Sequence, residues 1–186
     1  MRCLTFVLLL AFCSLPAVAQ ITKYMEVCEH GLCPYFRAPL APPEGWVSGD
    51  PGPGRAREMQ LFLPEGESFD SAPAVIYATV TWNAEDKSLD ALIADEIARW
   101  RDKNPDAQAE EVPSLGLFRV FALRTPGAGA NPFEYVAYAL DHDGDGNVYF
   151  LVVVVSALTA EALDAARGAY EDLLRNYRPP PFRPSA

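Results

Sequence analysis

Residues 148–156 read VYFLVVVVS, an unbroken apolar run rich in β-branched and aromatic side chains. Its composition is that of a strand. An antiparallel strand with one wet face would alternate apolar and polar residues, and this one does not. It therefore belongs at the centre of a sheet that is covered on both sides. Every other element has to flank this strand or cover it.

The remaining periodicities supply those elements. Residues 59–63 form a short strand closed by Pro64-Glu65-Gly66, and residues 74–82 (AVIYATVTW) form a longer one. Leu89, Leu92, Ile93, Ile97 and Trp100 recur at steps of three and four, which predicts a helix over 89–103. Ser88 is its expected N-cap, and Asn104-Pro105 ends it. Residues 117–124 are the next strand. Residues 133–140 then pair with 148–156 as a hairpin around Asp141 to Asn147. A closing helix starts from Thr159 as N-cap and runs to about Tyr177, burying Leu163, Ala166, Tyr170, Leu173, Leu174 and Tyr177. Gly168 inside it costs ~1 kcal/mol relative to alanine, which suggests a close approach of helix to sheet. The order implies an α+β fold: a mostly antiparallel sheet of about six strands, covered by helices on both faces as an α/β/α sandwich.

Residues 34–57 are rich in proline and glycine and read as an irregular arm with a short strand at Trp46-Val47. The chain thus divides into a leader at 1–19, an arm at 20–57, a domain at 58–178 and a proline-rich tail at 179–186. Pro43-Glu44-Gly45-Trp46, the strand ending at Leu63-Pro64, the helix from Leu89 and the helix to Tyr177 stand in an order that resembles the PsbP-like and DcrB-like exported proteins. The resemblance spans about Gly45 to Arg178 and lies in element order, not in a catalytic motif. It implies the sandwich fold and an accessory, assembly or binding role, and it carries over no functional residue.

The leader has one basic residue, Arg2, an apolar run from Leu4 to Leu15, and Ala17-Val18-Ala19 after Pro16. That is the pattern of a secretory signal cut between Ala19 and Gln20. The run is shorter than the about 20 residues that span a bilayer. Cys13 follows Phe12, which is too large for a lipidation motif, so no membrane anchor is expected after cleavage. The expected location is the periplasm or the medium. Cleavage leaves 14 basic and 25 acidic residues, a formal charge of −11. Such a charge repels nucleic acid and anionic lipid, and favours a cation, a metal ion or a basic protein surface.

Cys28 and Cys33 then remain, and in an oxidising compartment they are expected to pair. The short loop limits the stabilisation to ~2 kcal/mol. Cys28, His30 and Cys33 also offer metal-ligand types, but no fourth ligand stands nearby.

Asp141-His142-Asp143-Gly144-Asp145-Gly146-Asn147 matches the opening of a calcium loop. Calcium takes six to eight oxygens, so alternate carboxylates converge on it. Asp141, Asp143 and Asp145 would give side-chain oxygens and Asn147 a backbone carbonyl. The ninth and twelfth positions are Tyr149 and Val152, where acids are expected, and the flanks are strands, so this is no EF-hand. The alternative is an ordinary hairpin turn, for which Asp-Gly and Gly-Asn are favoured.

No catalytic set is expected. The sequence has only His30 and His142, with no nucleophile elbow, zinc-protease motif or phosphate loop, and Gly127-Ala128-Gly129-Ala130 precedes no helix. Glu110-Glu111 and Asp95-Glu96 are neighbours in sequence, which points them apart. The functional expectation is an exported, non-enzymatic accessory or binding protein for an unknown protein or small ligand, with calcium as a candidate cofactor. The alternatives are a metal-dependent hydrolase using the Asp141–Asp145 loop, and an inhibitor or immunity protein for an exported toxin.

Overall fold

A computed structural model describes residues 20–28, 31–52, 59–125 and 132–179. The leader, His30, the glycines at 127, 129 and the proline tail from 180 lie outside the described residues.

Two antiparallel sheets form. The first is a hairpin of β1 (Thr22–Cys28) and β2 (Gly31–Arg37). The second has seven strands: β3 (Trp46–Gly49), β4 (Met59–Pro64), β5 (Ala74–Trp82), β6 (Gln108–Leu115), β7 (Phe118–Arg124), β8 (Phe133–His142) and β9 (Val148–Ala157). Their spatial order is β3-β4-β5-β9-β8-β7-β6. The doubly apolar β9 lies between β5 and β8, with Leu151, Val153 and Val155 fully buried on one face and Phe150 and Val154 buried on the other.

Helix α1 (Leu89–Lys103) packs Ile93, Leu92, Ile97 and Trp100 against Phe121, Val136, Tyr138 and Phe150. Helix α2 (Ala160–Asn176) packs Leu163, Ala166, Tyr170 and Leu174 against the opposite face. The Tyr170 hydroxyl donates to the Val153 carbonyl at 3.0 Å and ties that helix to the central strand. Ser88 and Thr159 cap the two helices through their side-chain oxygens, as their sequence positions predict.

The expected six-strand sandwich with helices covering both faces is not what forms. The main sheet has seven strands and the described chain has only two helices. A helix about 10 Å across covers roughly two strands spaced about 4.8 Å apart, so one helix per face leaves most of seven strands to other cover. Ala72 of the loop after β4 closes over Leu61, Leu63 and Val75. Ile21, Phe36, Ala38 and Leu40 from the N-terminal arm join the α2 side. The arm is thus partly a strand pair, not the irregular chain its prolines suggest. Gly168 also departs from expectation: a Cβ there would meet nothing, so no close helix–sheet approach requires it.

Candidate functional site

The aspartate hairpin was the most chemical stretch of the sequence, and its three carboxylates separate. β8 ends with Asp141 opposite Tyr149 and His142 opposite Val148. Alternation along β8 sets only Asp141; Asp143 and Asp145 lie past the strand end at His142 and are placed by the turn. Asp141 turns inward and is 2 % exposed. Its carboxylate accepts from the Tyr177 hydroxyl just past α2, and its Oδ1 accepts from the His142 amide at 2.7 Å. Burial, with the Asp141 carboxylate beside it, pushes the Tyr177 hydroxyl well above its ordinary pKa, so it remains a donor.

Asp143 serves the turn itself. Its Oδ1 accepts from the amides of Asp145 (2.9 Å) and Asn147 (3.0 Å). Its Oδ2 accepts from Asn147 Nδ2 and from the Tyr149 hydroxyl, both at 2.7 Å. Burial alone would raise this carboxyl; the hydrogen bonds from Asn147, Tyr149 and Asp145 outweigh it and hold it below its usual value. The Gly146 amide donates to the Asp143 carbonyl, and Gly146 sits at φ +84°, which a side chain would strain. Asp145 is exposed at the tip. Asn147 uses its carbonyl to accept from the Asp143 amide at 3.1 Å.

A calcium ion needs converging, available oxygens. Here Asp141 and Asp143 face different partners, and each is occupied as an acceptor. Among the described residues no group of three or more His, Cys, Asp or Glu side chains comes together to hold a metal ion. The residues present do not fit a calcium site in this arrangement. Tyr149 and Tyr177 are what the aspartates bind instead: periodicity puts Tyr177 in the buried stripe of the closing helix, but nothing in the sequence pairs either tyrosine with an aspartate. The nearest signal is Tyr149 itself, opposite an inward-facing Asp141, at a position where a calcium loop would carry an acid.

Three of the four acids in the sequence-adjacent pairs, Asp95, Glu96 and Glu111, form surface ion pairs. Arg119 donates to Glu111 through Nε (2.8 Å) and Nη2 (2.9 Å), Lys87 reaches Asp95 at 3.1 Å, and Arg99 pairs with Glu96.

The second candidate surface is the β1–β2 hairpin. Cys28 and Cys33 stand at disulfide distance, with Cα atoms 5.9 Å apart. The register places Lys23, Met25 and Val27 on one face with Leu32, Pro34 and Phe36. At the base of that face Phe36 packs on Tyr149, ring centroids 4.9 Å apart. Toward the tip the same face runs past the sheet, leaving Met25 51 %, Val27 72 % and Leu32 68 % exposed. On the other face Tyr24 contacts Tyr35 at 5.8 Å, and Arg37 lies 5.2 Å over the Tyr24 ring. The sequence flagged the cysteines here but not the apolar tip, because the run 22–37 alternates too little to read as strands.

No protein-family model matches this chain, and no curated protein is significantly similar to it. No helix among the described residues is long and apolar enough to cross a membrane.

Proposed function

We propose that this chain is an exported, non-enzymatic accessory or binding protein that meets a protein partner through the tip of the β1–β2 hairpin. The observation that carries this reading is the contiguous exposure of Met25, Val27 and Leu32 on a face whose base is anchored by Phe36. A free two-stranded hairpin is marginal in water, and exposed apolar tips are costly to solubility. A cross-link at Cys28–Cys33 that holds such a tip in shape has a purpose if the tip is recognised. The leader pattern at 1–19 supports export, and a cysteine pair at bonding distance suits an oxidising compartment.

Two measurements test the reading. Intact mass of the native protein is expected to begin at Gln20 with two thiols fewer than the reduced chain; retention of Met1, or free thiols, removes the export half. For the binding half, a photo-crosslinking residue is placed at Leu32 and, as a control, at exposed Ala165 on α2. A discrete adduct from Leu32 alone is expected in cells. Identical patterns from both positions would count against a hairpin site.

A further inference from the structure

A separate cavity of about 220 Å³ lies between edge strand β6 and helix α2, away from the cysteine hairpin. A bulge builds it. Val112 pairs with Val120 and Leu115 with Phe118, so the register shifts across Pro113 and Ser114. Alternation would point Val112 and Leu115 to opposite faces; the shift lets both pack with the α2-side core. Proline is tolerated there because β6 is an edge strand. The floor is Val120 and Tyr170, both buried, with Tyr135 beside them.

The rim on α2 is basic. Arg167 Nε donates to Glu171 Oε1 at 2.8 Å, and Arg175 Nη2 donates to Oε2 at 2.6 Å, so one carboxylate holds two guanidinium groups. The Arg167 guanidinium also lies 5.5 Å over the Tyr135 ring. It is therefore fixed in place by its Nε and by its face. The edge formed by its two terminal nitrogens takes part in no hydrogen bond with the described residues, and that edge matches a carboxylate. Two arginines against Glu171 leave one net positive charge on the lining. Asp164 acts on Arg167 from the previous turn, and Asp172 lies 3.7 Å from Arg175. With those two aspartates counted the surroundings carry one net negative charge, so a dianion such as phosphate is opposed and a single carboxylate fits only directly on the Arg167 edge. An apolar floor with one oriented polar group is the usual make-up of a small-molecule site, and this volume is below the range for drug-sized ligands.

We infer that the β6–α2 groove binds a small amphipathic monocarboxylic acid, its apolar chain on Val112, Leu115 and Val120 and its carboxylate on Arg167. This goes beyond the hairpin proposal and does not depend on it.

The test is a methyl and amide NMR titration of the protein lacking residues 1–19, with octanoate, octylamine and acetate as probes. Octanoate is expected to shift Val112, Leu115 and Val120 with a Kd of about a millimolar, the scale for a ligand of about ten heavy atoms. Octylamine (same chain, opposite head) and acetate (same head, no chain) are expected to leave those signals in place. Arg167→Gln, at an exposed position, is expected to weaken octanoate about tenfold. Val112→Trp, which fills the groove, is expected to abolish the shifts while the remaining spectrum stays folded. Equal shifts with octylamine, shifts scattered over the surface, no shift at all, or unchanged affinity in Arg167→Gln would each overturn the inference. Val27→Asp with Leu32→Asp is expected to leave octanoate binding unchanged, so loss of the hairpin site and loss of this one are read separately.

Discussion

The two hairpins of this protein, β1–β2 and β8–β9, are held by opposite means. β8–β9 is embedded: β7 flanks one strand and β5 the other, so both strands have partners on each side. Its loop is fastened by side chains to backbone and to two tyrosines, through Asp143 and Asp141. Among the described residues β1–β2 pairs in strand register with no other strand; it is fastened at its tip by a cysteine pair and at its base by Phe36 on Tyr149, beside Ile21 and Ala38 in the α2-side core. The comparison relocates the chemistry. The acidic loop resembles a ligand site in sequence, yet its acceptors are occupied in holding the turn. The cysteine hairpin reads as a loose arm, yet its tip brings three exposed apolar side chains, Met25, Val27 and Leu32, onto one face.

The sharpest way to break the comparison is at Asp141. Asp141→Ala removes the acceptor from a buried tyrosine hydroxyl and from the His142 amide. Leaving such donors unsatisfied is expected to lower stability by about 3 kcal/mol, read as a shift in the urea midpoint with unchanged slope. A cost under about 1 kcal/mol would mean that the Tyr177 contact is dispensable.

Asp143→Ala is expected to cost less, about 2 kcal/mol, because the turn is open to water that can replace some of the lost bonds. This effect carries a pH signature. The folded carboxyl lies below its ordinary value of 3.8. Its contribution is therefore fully present above that value and is lost as pH falls through the lower folded one. The gap in stability between the wild type and Asp143→Asn should persist at neutral pH and close only in strong acid. In the same experiment, exchanging EDTA for millimolar calcium should leave the wild-type melting midpoint where it was. A rise with calcium would show that the loop rearranges around an ion and that the hairpins differ less than argued.

These acids also show what a sequence can and cannot convey. Residues 148–156 were legible as a central strand because burial on both faces leaves a direct mark on composition. Both helices were legible from their periodicity and caps. The spacing Asp141, Asp143, Asp145 was legible too, but spacing along a strand end does not state on which side of the sheet each oxygen lands or what waits there. Tyr177 is distant in sequence and only the packing of α2 brings it in. β6 (QAEEVPSL) was missed because an exposed edge strand needs no apolar alternation and tolerates Pro113. The β1–β2 pair was missed for a related reason: its apolar face is largely uncovered, so no core demand shaped its pattern.

Replacing the cysteines sharpens the contrast from the other side. Cys28→Ser with Cys33→Ser is expected to cost at most ~2 kcal/mol for so short a loop. The loss should be local. Amides of Thr22–Cys28 and Gly31–Arg37 should exchange faster, while those of β8 and β9 keep their protection, since the hairpin can open without the main sheet. Faster exchange spread through β5 and β9 would instead mean that the hairpin is part of the global core.

The smallest expected effect on stability, Val27→Asp with Leu32→Asp, bears most directly on function. Both side chains are about two-thirds exposed or more and pair across the strands at the tip. Exposed substitutions usually change stability by about 0.5 kcal/mol or less, so the melting midpoint should stay nearly unchanged. Two aspartates facing each other repel, which keeps the expected sign slightly destabilising. Crosslinking from a probe at Met25, on the same face, should nevertheless disappear in this variant. A residue that is neutral for folding and necessary for contact is a recognition residue. If the melting point falls by as much as it does for Asp143→Ala, the tip is structural, and the two hairpins differ in how they are held but not in what they do.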